Sequence, residues 1–467
     1  MIGPDPVDGD RVIPSRITNG TYISRAVDES SALRVGRVSG VIEVAQGPNS
    51  SGSPAVYAGR GFQLLLLAVA TAAGGYVRTT VGPLQEAMRI ALALSDNQMA
   101  LLQGPALGVP VVIAAIPLGL IIDRYSRVRL LFILTVLNVV GSLFTALASS
   151  FTLLIAARCI AGLAGFTTVP IVLSLLADLY APAQRGRVTM VVSVGQVAGV
   201  SAAFAFGGAL LTMSGSGPDA WRWAMFGLTA PLVPAMLLML TMREPPRTGV
   251  VIENPSAREA FAELWRYRAV IGPLLIGIVL VEIAVGAVMN WSAPTLSRSF
   301  ALPSDRIGTI MAMGLMVSGI LGPIAGGLLA DFCQRAGGPR RTIAVMSAMA
   351  LLSAPASLFA VMPGVASASI LLVMVMTVML AIAVMGMTLF TLVIPNELRG
   401  LCMAVLVGAN ILFAVGVAPV TVSLLSGALG GPAMIGKALT LVCVTTSLLA
   451  AATFAFGSRY LPRTAVQ

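Results

Sequence analysis

From Phe62 onward the chain is a succession of apolar runs. Each is close to the ~20 residues that a helix needs to cross a hydrocarbon core of about 30 Å. Twelve such runs follow one another in two groups of six. The first group covers 62–83, 98–122, 129–149, 152–178, 188–213 and 222–242. The second covers 269–293, 306–330, 341–362, 366–394, 401–426 and 434–457. A soluble domain carries about 25% charged residues, and this chain of 467 residues has 10%, with 57% hydrophobic. That excludes a soluble enzyme, a soluble binding module and a disordered chain together. Hydrocarbon offers no water to backbone groups, so the runs are expected as helices, each satisfying its own hydrogen bonds. The expected class is an all-α membrane protein of twelve transmembrane helices.

The polar stretches set the domains. Residues 1–60 are rich in Gly, Pro and Ser and lack an apolar signal segment, so they are expected as a flexible cytoplasmic tail. Two six-helix bundles are expected over 61–242 and 269–458, with a short tail over 459–467. Between the bundles, 243–268 is expected as a cytoplasmic linker. Within it Ser256 and Glu259 have capping-box spacing, and Ala257, Ala260, Phe261, Leu264 and Trp265 recur at helical spacing. A short amphipathic helix on the membrane surface fits that pattern, and a solvated linker helix is the alternative.

A net charge of +10 would suggest nucleic acid in a soluble protein. Here its placement decides. Sixteen arginines, from Arg124 and Arg127 to Arg459 and Arg463, fall in one alternate set of connections and the C-terminus. The other set holds Arg89, Arg222, Arg298, Arg306 and Lys437. Such a bias holds basic loops in the cytoplasm. Both termini are therefore expected inside, in a bacterial inner membrane, with no nucleic-acid partner.

Two connections share a pattern. One reads Gly119-Leu120-Ile121-Ile122-Asp123-Arg124-Tyr125-Ser126-Arg127, and its counterpart in the second group reads Gly327-Leu328-Leu329-Ala330-Asp331. The glycine would let two helices approach closely. An acid at a helix end beside several arginines can form a charge network that opens or closes as bundles rock. Arg185-Gly186 and Arg399-Gly400 form a second matched pair. Parallel repeats of six spans are a transporter device.

The Gly119–Arg129 segment resembles the cytoplasmic loop signature of the major facilitator superfamily. Arg158 with Gly162, and Arg243-Glu244-Pro245-Pro246-Arg247, resemble further superfamily positions. Leu94 to Leu102, with Ile116 to Gly119 and Asp123 to Arg127, looks like the Spinster-like branch. The resemblance implies the superfamily fold of two pseudo-symmetric bundles, and secondary transport by alternating access without ATP hydrolysis. It suggests a small organic solute, amphipathic or anionic, with lysolipid-like molecules among the candidates. The chain departs from the branch at two acids: Val77 stands where an Asp precedes the arginine, Arg78, and Gly165 stands where span four usually has a glutamate. Proton coupling does not carry over through those positions.

Within the spans Arg78, Arg158 and Glu282 are the deep charges. An intramembrane charge costs roughly 2.5–3.5 kcal/mol even on insertion scales, so each should face a cavity or a partner. Two readings stay open. One is a cavity with an anion-attracting arginine side facing a titratable carboxylate, Glu282, that could carry a proton. The other is a structural pair of Glu282 with an arginine, locking the halves. Tyr76, Asn138, Gln196, Asn290, Trp291 and Asn410 are secondary polar candidates, Tyr76 and Asn290 foremost because they lie on spans one and seven, which line the cavity in this superfamily. Trp221 and Trp223 read as interfacial anchors.

Histidine is absent and the four cysteines form no CxxC pair, so no metal site or other cofactor is expected. Gly431 to Ala438 falls one residue short of a phosphate-binding loop, since Ala438 stands where a hydroxyl should hold magnesium. An intramembrane lipid enzyme lacks a legible catalytic cluster. The remaining alternative is a non-transporting membrane receptor or scaffold of the same fold. The expected partners are a small-molecule substrate, with protons as a possible coupling ion, and the bilayer, the chain itself acting as a monomer.

Overall fold

The structure is a computed structural model that describes residues 59–246, 263–394 and 396–461. Residues 1–58 of the expected tail, and Ser256, Glu259 and Phe261 of the expected surface helix, lie outside them. Every regular element among the described residues is a helix.

Eleven of these helices are long and apolar enough to cross a membrane. One, Ser304–Val361, has 58 residues. At 1.5 Å per residue it would run about 87 Å, nearly three times the hydrocarbon thickness. Its backbone breaks at Gly337 (φ 172°, ψ 15°) and Gly338 (φ 64°, ψ −159°). The Gly338 conformation is open essentially only to glycine. The stretch therefore makes two crossings around a tight turn, the expected spans eight and nine. Twelve crossings place both described chain ends, residues 59 and 461, on one side, here the near face; the opposite side is the far face.

Local chemistry sets the helix starts. Ser95 caps the second span: its hydroxyl accepts from the Gln98 N–H at 3.2 Å, and the Gln98 carbonyl oxygen accepts from the Ser95 N–H at 2.9 Å. Ser126 and Ser150 cap the third and fourth spans, satisfying N–H groups that a helix start leaves without partners. Pro182 begins the fifth span (Pro182–Met213), where its missing N–H costs nothing.

Small residues let the spans meet closely. A Cβ on Gly199 would stand 2.0 Å from the Ala72 carbonyl oxygen, and one on Gly195 2.7 Å from that of Ala68. The pair, four residues apart on one helix face, thus seats span five on span one. Gly322 and Gly326 do the same for span eight against Thr377 to Ala381 of span ten. At Gly119 and Gly327 the expectation of close helix packing is not met. A Cβ at either would meet nothing within 4 Å, because neither position faces a neighbouring helix in this conformation.

The first six spans and the last six meet mainly in their far-face parts. Gly208 of span five lies against Ser304 and Gly308 of span eight, and Gly308 against Phe204. Deeper in, Gly319 packs on Val197. On the other side Gly104 and Gly108 of span two pack against Ile411, Val415 and Gly416 of span eleven. Span five with span eight, and span two with span eleven, thus form the two seams between the halves.

Candidate functional site

Between the seams lies a cavity of about 430 Å³, lined from both halves. Span one contributes Arg78, span five Gln196, span seven Glu282 and Asn290, and span eleven Asn410. Arg78 and Glu282 are its two charged lining residues, one from each half. The rest is largely apolar, including Phe166, Met289, Met376 and Met379. The arrangement suits a ligand with one polar or charged end and a greasy body.

Arg78 is held by its surroundings, without a carboxylate among the described residues. Its Nε donates to the Gly74 carbonyl at 3.3 Å. Its guanidinium carbon lies 4.1 Å from the centre of the Phe166 ring, a cation–π contact. Gly165 makes room: a Cβ there would stand 2.7 Å from Arg78 Cγ and 2.9 Å from the Gly74 oxygen. Across the cavity Asn410 shares the lining with Glu282. Among the described residues no ion pair joins Glu282 to an arginine, so the structural pair is not seen in this conformation. The Asn290 amide donates to the Gly286 carbonyl at 2.8 Å and also lines the cavity.

Other candidates sit elsewhere. Arg158 is 1% exposed and outside the lining. Its Nη2 donates to the Arg78 carbonyl at 2.8 Å and its Nε to that of Leu102 at 3.4 Å, tying spans one, two and four together. Tyr76 is buried in the apolar core of the first half. Asn138 is buried within span three. Trp291 is buried, its Nε1 donating to the Pro419 carbonyl at 3.0 Å. Trp221 is packed in the core under Arg222 rather than anchored at an interface, because the span-six helix turns it inward; Trp223 is exposed.

Of the expected gating loop, Arg127 is the hub. Its Nη1 donates to Asp178 at 2.5 Å and its Nε to Glu244 at 3.1 Å. Glu244 also accepts from the Ser126 hydroxyl at 2.7 Å and the Val128 N–H at 2.8 Å, bridging the start of span three to the end of span six. Burial pushes the Glu244 carboxyl up, but its hydrogen bonds from Val128, Ser126 and Arg127 outweigh that and hold it below the usual range. Asp123 falls in the last turn of the second span, while Arg124 and Asp331 are exposed on the near face. The bonds named here join elements of the first half.

A second cluster went unread in the sequence. On the far face Arg298, at the end of span seven, reaches Glu86 at 2.8 Å and Asp96 at 2.7 Å, both from the first half. Arg89 pairs with Glu86 at 2.6 Å. Asp96 stood in the Leu94–Leu102 stretch and Arg298 among the far-side bases, but nothing in one sequence pairs residues 202 positions apart.

The profile of the Major Facilitator Superfamily matches residues 67–419. The chain belongs to the major facilitator superfamily. The eleven membrane-length helices among the described residues agree with the multi-pass architecture of that superfamily. Its fold is similar to that of a bacterial homologue of the human lysosomal transporter Spinster in an inward-facing, unoccupied conformation. The TM-score is 0.73 at 22% identity, over 86% of this chain and 97% of that one. The inward-facing, occupied form gives 0.74 at 20% identity, over 87% and 98%. A D-xylose–proton symporter gives 0.62 at 17% identity, over 86% and 98%. By sequence, 105 residues are 34% identical to the quinolone resistance protein NorB of Staphylococcus aureus (strain JH9). That match spans 22% of this chain and 22% of the relative's length.

Proposed function

We propose that this Spinster-like member of the superfamily moves a small amphipathic or anionic organic solute by alternating access. The observation that carries the reading is the cavity between the halves, with Arg78, which has no carboxylate partner among the described residues, on one wall and Glu282 on the other. Arg78 receives the negative end of the solute, and the Met- and Phe-rich lining its apolar body. Glu282 is the titratable group and couples a proton to the cycle. Asn290 and Gln196 add hydrogen-bonding capacity on opposite walls. The halves, 61–242 and 269–458, rock about the cavity as a monomer. The basic near face is the cytoplasmic side of a bacterial inner membrane. With the far-face seam shut by Arg298, the conformation is inward-facing.

Two paired probes test it, dansyl-glycine and its neutral amide, in proteoliposomes with an imposed pH gradient. Flux of the anion above the amide, reduced at least tenfold in Arg78→Ala and made indifferent to the gradient in Glu282→Gln, is expected. Equal flux of both probes in wild type and Arg78→Ala removes Arg78 as the anion site. Unchanged gradient dependence in Glu282→Gln removes Glu282 as the coupling site.

A further inference from the structure

Span eleven is not uniform. After Asn410 its helix widens to a π-helical stretch, Ile411–Val417, before returning to α at Ala418. Pro419 accounts for the widening. A proline inside a helix has no N–H to give, and its ring clashes with the carbonyl four residues earlier, here that of Val415. That carbonyl is turned out of the ordinary ladder. It ends up against the other half of the molecule: a Cβ on Gly104 would lie 2.9 Å from the Val415 oxygen and 3.2 Å from the Gly416 oxygen. The Ile411 oxygen faces Gly108 in the same way. Gly104 is where span two is interrupted, between Gln103 and Pro105, with φ −108° and ψ −98°. The widened stretch is therefore one side of a seam between the halves.

Its other end is tied to the cavity. Asn410, the residue before the widening, lines the cavity together with Glu282. Ala414 and Val415 line the same cavity, and the Ala414 carbonyl presses on Gly286 of span seven, one turn beyond Glu282. Below that level lies a smaller cavity of about 180 Å³ between spans seven, ten and eleven, which shares Glu282 and Asn410 with the large one. Its other lining residues, among them Ile278, Met387 and Val407, lie nearer the near face along their spans. The Glu282–Asn410 pair is thus the partition between two spaces, with room for Asn410 to move on either side.

We propose that Asn410 and the π-helical stretch of span eleven transmit the state of Glu282 to the seam at Gly104. When Glu282 is charged it accepts from the Asn410 amide and holds the start of the stretch. When it is protonated that acceptor weakens and Asn410 is released. The stretch then tightens toward α, which draws the Val415 and Gly416 carbonyls away from Gly104 and loosens the far-face contact. Tightening a π turn shifts the register of everything beyond it, and π turns recur at functional positions for that reason. The charged group that faces Glu282 from elsewhere in the cavity lining is Arg78; Asn410, Gln196 and Asn290 are neutral. The inference rests on Glu282 being the titrating site.

The test is a distance measurement across the far face in the reconstituted full chain. Spin labels at Ser216→Cys and Ala433→Cys report it, with Cys159→Ser removing the one cysteine that is not buried. The wild-type distribution is expected to lengthen between pH 8 and pH 5.5. Asn410→Ala is expected to lose that shift. Pro419→Ala, which returns the Val415 carbonyl to its own helix, is expected to give the long distance at both pH values. Glu282→Gln is expected to lose the shift as well. If Glu282→Gln loses it and Asn410→Ala keeps it, transmission through Asn410 is wrong while Glu282 stands. A Pro419→Ala distribution identical to wild type overturns the role of the π stretch. A shift that survives in Glu282→Gln, or a wild type indifferent to pH, removes the titrating site and this inference with it.

Discussion

Arg298 donates to Glu86 across the far-face seam, from Nε at 3.0 Å and from Nη2 at 2.8 Å. The same guanidinium reaches Asp96 from Nη1 at 2.8 Å and Nη2 at 2.7 Å. One planar group thus spans two carboxylates on the opposite half, a geometry that lysine cannot reproduce. All three side chains are largely shielded from solvent, so the Coulomb attraction is less screened than at an open surface.

Opening the far face must break that arrangement. Arg298→Ala is expected to raise the rate at which an impermeant maleimide, added on the far side, labels a cysteine placed at Thr79 in the cavity. Loss of one partner of a shielded pair costs about 2–5 kcal/mol, and each 1.4 kcal/mol is about tenfold in an equilibrium, so at least tenfold is expected. Arg298→Lys should fall between wild type and Ala. A labelling rate unchanged in Arg298→Ala would mean that the cluster does not hold the far face shut.

The Glu244 carboxylate makes a different prediction, about stability. Its hydrogen bonds to Val128, Ser126 and Arg127 keep it charged below the ordinary glutamate value. A carboxyl depressed in the folded state contributes stability above its unfolded pKa, about 4.3, and loses it as the pH falls through the folded value. The apparent Tm of the wild type in detergent should therefore drop between pH 5 and pH 3.5. Glu244→Gln should have a lower Tm at pH 7 and a shallower drop over that interval. Parallel curves for the two proteins would show that Glu244 stores no such stability.

Much of this architecture is legible in the sequence, because the membrane forces a one-dimensional rule. Every crossing must be a long apolar helix, so span positions, the Gly195/Gly199 seam and the deep charges can be read from residues 62–457 directly. The division of labour among the deep charges is not so readable. Arg78 and Arg158 both look like intramembrane arginines, yet one faces the cavity and the other two backbone carbonyls. The difference lies in helix rotation, which only packing decides. The Glu282–Asn410 pair and the Arg298 cluster depend on residues 128 and more than 200 positions apart coming together. Span periodicity carries no signal for either. The runs 306–330 and 341–362 imply a connection between spans eight and nine, while its break at Gly337 and Gly338 is seen only in the backbone.

Phe166 and Gly165 set how Arg78 is presented. A cation over an aromatic face contributes about 0.5–2 kcal/mol, and the Phe166 ring lies beneath the guanidinium at 4.1 Å. Phe166→Leu keeps the apolar volume and removes the ring. It is expected to weaken binding of dansyl-glycine by about twofold to thirtyfold and to leave the neutral amide unaffected, while Phe166→Trp or Tyr restores the anion. Equal weakening of both probes would show that Phe166 only fills space. Gly165→Ala should be harsher, since the new Cβ meets Arg78 Cγ and the Gly74 carbonyl together. Overpacking of that kind costs about 1–3 kcal/mol, visible as a lowered Tm.

Arg158 should behave in the opposite way from Arg78. Its Nη2 and Nε satisfy the Arg78 and Leu102 carbonyls, and the side chain is buried. Each buried acceptor left without a donor costs about 1–3 kcal/mol. Arg158→Ala removes both donors and also leaves a cavity between spans one, two and four. Folded yield and Tm should fall together, and Arg158→Lys, with one ammonium for two diverging carbonyls, should recover only part. The surviving fraction of Arg158→Lys should still prefer dansyl-glycine to its amide, because Arg78 keeps its seat on Phe166. Arg78→Ala should show the reverse, a near-normal Tm with the preference lost. If Arg158→Lys instead keeps its Tm and loses the preference, then Arg158 takes part in recognising the anion despite its burial.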